Sequence, residues 1–156
     1  MIEFKNIKKS FDDKVVLNDV SHIMQTGMCN LIIGTSGSGK TVLQKCLVGL
    51  FEPDSGEIIY DGVNFTEMTD DHRKELRQQI GMLFQGSALF DSMTVEQNVM
   101  FPLDMFSPMS HSEKQKRVDE VLARVNLKDA NKKYPAEISG GMKKRVGIAR
   151  DRKSVV

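Results

Sequence analysis

Apolar residues follow two regimes along this chain. In the first half they come in short runs bounded by turn residues, and in the second they recur at helical spacing. Residues 2–4 and 15–20 read as strands, separated by the polar turn Ser10-Phe11-Asp12-Asp13-Lys14. Residues 29–33 (Cys-Asn-Leu-Ile-Ile) are short and apolar, as a strand buried on both faces would be. Val42, Leu43, Cys46, Leu47 and Leu50 then fall at helical spacing. Pro53-Asp54-Ser55-Gly56 is a turn, residues 58–60 a short strand, and Asp61-Gly62 a second turn. Residues 70–79 form a charged, exposed helix with Asp70 and Asp71 in its first turn, and residues 80–84 read as another buried strand.

The remainder is helical. Thr94 with Gln97, and Ser110 with Glu113, each make a capping-box pattern. After the second box, Val118, Val121, Leu122 and Val125 lie at i, i+3, i+4 and i+7, one face of an amphipathic helix. Pro135 ends the stretch after this helix, and Ser139-Gly140-Gly141 opens a last helix carrying Met142, Val146 and Ala149. The order predicts an α/β fold with a helical insert from about Thr94 to Lys133.

Composition narrows the picture only a little. The chain has 156 residues, enough for a real core, with 40% hydrophobic and 28% charged residues, which fits a soluble globular class. A net charge of +1 gives no general attraction to nucleic acid. No apolar run approaches a membrane span, and the N-terminus lacks the basic-then-apolar pattern of a secretion signal. Cys29 and Cys46 fall in the expected strand and helix and read as small buried hydrophobes in a reducing compartment. Ten methionines suggest no chemistry of their own.

Residues 34–41 carry the sharpest chemical signal. Gly34-Thr35-Ser36-Gly37-Ser38-Gly39-Lys40-Thr41 is a complete G-x-x-x-x-G-K-[ST] loop between an expected strand and an expected helix. Glycines let backbone N–H groups close on phosphate oxygens. Lys40 adds a charge for the outer phosphates, Thr41 offers a hydroxyl to Mg²⁺, and the following helix points its positive end at the same anion. A nucleotide with its magnesium ion is the implied ligand.

Such a loop serves kinases, GTPases and transport ATPases alike. Ile138-Ser139-Gly140-Gly141-Met142-Lys143-Lys144-Arg145 chooses among them, because it resembles the LSGGQ signature of ATP-binding cassette (ABC) ATPases. A capping serine and two glycines leave N–H groups at a positive helix end, a surface suited to a terminal phosphate. Gln85, following the apolar run 80–84, resembles the Q-loop glutamine, and Phe11 occupies the place of the aromatic that stacks on adenine, usually a tyrosine. A core phenylalanine is the competing reading of Phe11. No Asn-Lys-x-Asp motif is present, which counts against a GTPase.

The resemblance covers Ile2 to about Arg150. It implies a P-loop NTPase of the ABC type, with a β-rich N-terminal part, a parallel core sheet that is incomplete here, and a helical subdomain. The implied division is 1–93 for the β and P-loop core part, 94–150 for the helical subdomain, and 151–156 for an atypical tail. ATP and Mg²⁺ are the implied cofactors. Gly34 to Thr41 and Phe11 would hold the nucleotide, and Thr41 and Gln85 the metal. Ser139, Gly140 and Gly141 would act on the ATP of a second copy. The implied partners are that second copy and an integral membrane permease, on the cytoplasmic face of the plasma membrane. Residues 86–99, Phe101-Pro102-Leu103 and Met142 after Ser-Gly-Gly are similar to ATPases of Mla/Mce-type systems, which move phospholipid or other hydrophobic molecules across the bacterial envelope. Another ABC transporter class is the alternative.

One departure matters for catalysis. In the family an apolar strand ending in Asp-Glu comes next, and then a histidine at the γ-phosphate. These 156 residues contain neither. His22, His72 and His111 lie elsewhere and read as surface residues, and Asp151-Arg152-Lys153 breaks the apolar pattern. The expectation is a truncated cassette with an unpaired apolar edge at Leu31, Ile32 and Ile33, able to bind nucleotide weakly and unable to turn it over. A nucleotide-binding module without catalysis is thus the second reading.

Overall fold

In a computed structural model the chain is described at residues 1–84 and 86–151. It divides into two compact units, Met1–Arg77 and Gln78 onward. Residues 78–93, grouped with the first part on sequence, belong by contact to the second.

The first unit is built on a four-stranded antiparallel sheet in the order β2-β1-β3-β4. The strands are β1 (Ile2–Phe11), β2 (Lys14–Met24), β3 (Ser55–Tyr60) and β4 (Val63–Asn64). β1 and β2 run several residues beyond the apolar stretches that announced them, because each supplies the other's hydrogen bonds from Ile2↔Met24 to Phe11↔Lys14. The register slips near Asn6, whose φ of 52° marks a bulge held by its side chain donating to Asp19 Oδ1 at 2.7 Å. β3 lies against this bulge through Gly56. At φ 101° a Cβ there would stand 2.5 Å from the Lys5 carbonyl oxygen, so only glycine fits. Asp61 and Gly62, both at positive φ, make the tight β3–β4 turn.

Helix α1 (Lys40–Leu47) packs against β2. Leu43, Cys46 and Leu47 are buried, as are Phe4, Ile7, Leu17, Ile58 and Phe65 of the same unit. The Tyr60 hydroxyl donates to the Leu47 carbonyl at 2.6 Å, tying β3 to the end of α1, and burial pushes its pKa up to about 12. Helix α2 (Asp70–Arg77) buries no residue, in keeping with its charged sequence.

Two expected strands are not formed. Residues 29–33 and 80–84 lie in no strand, and every strand pair among the described residues is antiparallel. An apolar run becomes a strand only when a neighbour completes its ladder. No described segment does so here, and Leu31 and Ile33 stand 82% and 81% exposed. Leu31 and Ile33 are thus exposed and unpaired as expected, but Ile32 is half-buried, the run is no strand, and no parallel core sheet forms among the described residues. Cys29 is exposed, contrary to its reading as a buried hydrophobe, whereas Cys46 is fully buried.

The second unit is helical: α3 (Val95–Phe106), α4 (His111–Arg124) and α5 (Gly140–Arg150). Both capping boxes form as their sequences require. The Thr94 N–H donates to Gln97 Oε1 at 2.8 Å, and the Ser110 N–H to Glu113 Oε2 at 2.8 Å. Val95, Val99 and Leu103 of α3 meet Val118, Val121 and Leu122 of α4 and Val146 of α5 in one apolar cluster. Pro135 starts a short 3₁₀ turn and is buried.

Candidate nucleotide-binding and signature elements

The loop before α1 is shaped by two glycines at positive φ, Gly37 at 79° and Gly39 at 89°. Gly39 is the residue preceding α1, and its Cα lies close to β2. A Cβ there would be 2.9 Å from the Val16 carbonyl oxygen. Gly37 faces open space. The Ser38 N–H turns back to the Thr35 carbonyl at 3.3 Å, closing the curl.

Lys40 reaches over this curl. Its ammonium donates to the Gly34 carbonyl at 2.7 Å and the Thr35 carbonyl at 2.6 Å, with Ser38 Oγ at 3.4 Å. The charge is thus held at the mouth of the loop, within reach of an anion seated on the loop amides. Thr41 follows in the first turn of α1 with its side chain exposed. This donor set fits a phosphate chain. A magnesium ion would find the Thr41 hydroxyl here and otherwise draw on phosphate and water oxygens, the second expected ligand, Gln85, lying outside the described residues.

Phe11 stands at the end of β1, 38% exposed, which counts against a core role. It meets Phe51 edge-on at 5.3 Å between centroids, and the Lys9 ammonium sits 5.5 Å from its ring centre. Lys9 is held there by Asp54 at 2.6 Å, and the Ser10 N–H donates to the same carboxylate. Those bonds hold the Asp54 carboxyl below its usual range. Sequence reasoning missed Phe51, Lys9 and Asp54. Lys9 shares a face of β1 with Phe11, two residues on, while the β1–β3 pairing brings up Asp54 and Phe51 from the chain leading into β3, which no local spacing announces.

In the second unit Ser139 is the N-cap of α5, its Oγ accepting from the Met142 N–H at 3.3 Å. Gly140 and Gly141 are exposed and at ordinary φ. A Cβ at Gly140 would meet nothing within 4 Å, and one at Gly141 only Ser139 Oγ at 3.9 Å. Neither conformation nor packing within the chain calls for glycine at these positions. Two bare glycines at a helix N-terminus leave room for a group approaching from outside. Gln85 lies outside the described residues.

A family profile described as ABC transporter matches residues 17–151. The chain belongs to the ABC transporter family. The methionine import ATP-binding protein MetN 2 of Pseudomonas entomophila is 43% identical over 154 residues, covering 96% of this chain and 46% of its own length. The probable ribonucleotide transport ATP-binding protein mkl of Mycobacterium tuberculosis is 42% identical over 149 residues, with 96% and 42% covered. This ABC chain thus spans less than half the length of those curated relatives. Among solved structures, a bacterial ABC transporter cassette determined as a dimer matches with a TM-score of 0.86 at 32% identity, over 96% of this chain and 68% of that one. A second dimer, in a post-hydrolysis state bound to ADP and Pi, matches with a TM-score of 0.84 at 32% identity, over the same shares of each chain. The α/β ABC ATPase fold is therefore that of this chain.

Proposed function

We propose that the protein is the ATP-binding subunit of a bacterial ABC transporter, using ATP to drive transport across the cell envelope. The observation that carries this reading is the Lys40 ammonium held over a glycine-shaped loop at the start of α1, in a chain that also carries the Ser139 signature helix. Gly34 to Thr41 hold the phosphates, Thr41 and Gln85 the magnesium ion, and Phe11 one face of the adenine. Ser139, Gly140 and Gly141 act on the ATP of a second copy, in the manner supported by the dimeric form of the similar cassettes. The subunit works on the cytoplasmic face of the membrane beside a permease. No helix among the described residues is long and apolar enough to cross a membrane, so another chain or segment would have to span it.

The test is binding of Mg²⁺-ATP to the 156-residue chain and to Lys40→Ala. The expected outcome is saturable binding that Lys40→Ala weakens about tenfold or more, the scale of a lost charge-assisted contact to phosphate. Equal binding by both would overturn the assignment. For catalysis, the expected turnover of these 156 residues alone is no greater than that of Lys40→Ala, because they contain no Asp-Glu pair after an apolar strand and no γ-phosphate histidine. Phosphoryl transfer depends on positioned charge and metal. Clear Lys40-dependent turnover would refute it.

For cargo, similarity over residues 86–99, at Phe101-Pro102-Leu103 and at Met142 supports phospholipid or another hydrophobic molecule. The relatives' names support a competing reading, import of methionine or transport of a ribonucleotide. Stimulation of ATP turnover by each cargo, in membranes holding the complete transporter, separates the two.

A further inference from the structure

The backbone departs most from ordinary geometry just after position 85. Gly86, Ser87 and Ala88 have φ of 79°, 66° and 43°, three consecutive residues in the left-handed region. Two of them carry a Cβ, so the turn costs energy and persists only where its surroundings over-determine it. Two features of the second unit hold the turn itself, and a third holds the chain that follows it. Gly147 of α5 lets the turn approach closely: a Cβ there would stand 3.1 Å from Ser87 Cβ. The Arg150 guanidinium donates from Nη2 to the Ser87 carbonyl and from Nη1 to the Ala88 carbonyl, each at 2.8 Å. Asn98, fully buried on the apolar face of α3, accepts from the Phe90 N–H at 2.8 Å through Oδ1. Its amide donates to the carbonyls of Phe90, Met93 and Thr94 at 3.0–3.1 Å.

The two side chains converge. Arg150 Nη1 lies 3.5 Å from Asn98 Oδ1, and the guanidinium sits 5.7 Å from the centre of the Phe90 ring. A buried asparagine that commits its amide to a neighbouring loop is a costly choice for a helix core, where valine or leucine would pack. A planar fork that bridges two successive carbonyls is a task for arginine and not for lysine.

We propose that Arg150 and Asn98 are positioning residues, Arg150 locking the Gly86–Ala88 turn to α5 and Asn98 the following Phe90–Thr94 segment to α3, so that the chain immediately after Gln85 and the signature helix move as one piece. The inference rests on the proposed ATP-binding reading only for its bearing on function. It would tie the signature at one end of α5 to the segment held at the other.

The test is hydrogen–deuterium exchange of the full chain, read by peptide, beside thermal melting, with no nucleotide present. Arg150→Ala is expected to raise exchange in residues 87–93 roughly tenfold or more while residues 2–24 and 111–124 keep their protection. Arg150→Lys keeps the cation without the fork. It should restore the melting midpoint and leave residues 87–93 exchanging fast, which a merely structural role would not do. Asn98→Asp, which loses the three donated bonds, should open the same segment. Unchanged exchange in Arg150→Ala, full local rescue by Arg150→Lys, or a loss spread evenly over residues 95–149 would each overturn the role of Arg150. Protection retained in Asn98→Asp would remove Asn98 from it. Should Arg150→Ala not fold, the Arg150→Lys comparison decides alone. A failure here leaves Lys40-dependent ATP binding untouched, and the reverse holds as well.

Discussion

Glycine means different things at different positions of this chain, and the distinction yields a prediction. Gly39 combines a φ of 89° with a Cβ position 2.9 Å from the Val16 carbonyl oxygen, so any side chain there strains the fold itself. Gly140 has neither constraint. Gly140→Ala should therefore leave stability unchanged or raise it by under about 1 kcal/mol in urea unfolding, since alanine is the better helix former. The same substitution should abolish ATP-dependent self-association, seen by sedimentation with Mg²⁺-ATP. A variant that is stable and still associates with ATP would show that these glycines serve no ligand.

At the scale of the element, the helices follow from local chemistry, and their ends carry a pH dependence. The Ser110 hydroxyl and N–H both donate to Glu113 Oε2, and these bonds hold the Glu113 carboxyl below its ordinary 4.5. A folded-state pKa below the unfolded value means the contribution is complete above about pH 4.5 and is lost as pH falls through the folded value. Glu113→Gln keeps the box in the form Thr94 and Gln97 use and removes the titrating group. Its helix signal between about pH 5 and 3 should fall less steeply than that of the natural chain, by circular dichroism. Equal profiles would assign the acid sensitivity elsewhere. Packing sets the larger energies. Leu103 is fully buried among α3, α4 and α5, and Leu103→Ala should cost about 2–5 kcal/mol in urea unfolding of the second unit.

At the scale of the whole molecule, the prominent feature is the apolar run 29–33 without a ladder partner among the described residues. Leu31 and Ile33 are more than four-fifths exposed, and Met28 beside them is exposed as well. An exposed apolar segment with no ladder partner is a template for pairing with another chain. Leu31→Lys with Ile33→Lys should lower light scattering of the purified chain several-fold without changing its far-ultraviolet circular dichroism. Undiminished scattering would place the association elsewhere.

The elements that depend on nearest neighbours could be read from the sequence. The hairpin turn at Asp61-Gly62, both capping boxes, the charged face of α2 and the amphipathic stripe of α4 are all set within a few residues, by backbone sterics and side-chain reach. The 34–41 loop is legible for the same reason, since its glycines and lysine act through local conformation. What the sequence could not decide is whether 29–33 and 80–84 become strands, because a strand exists only with a partner, and the whole fold sets that partner. Nor could spacing show that Phe51 and Asp54 gather at Lys9 and Phe11, or that Arg150 closes over the carbonyls of Ser87 and Ala88 from some sixty residues away. Those contacts belong to tertiary structure because each joins segments whose separation along the chain carries no information about their separation in space.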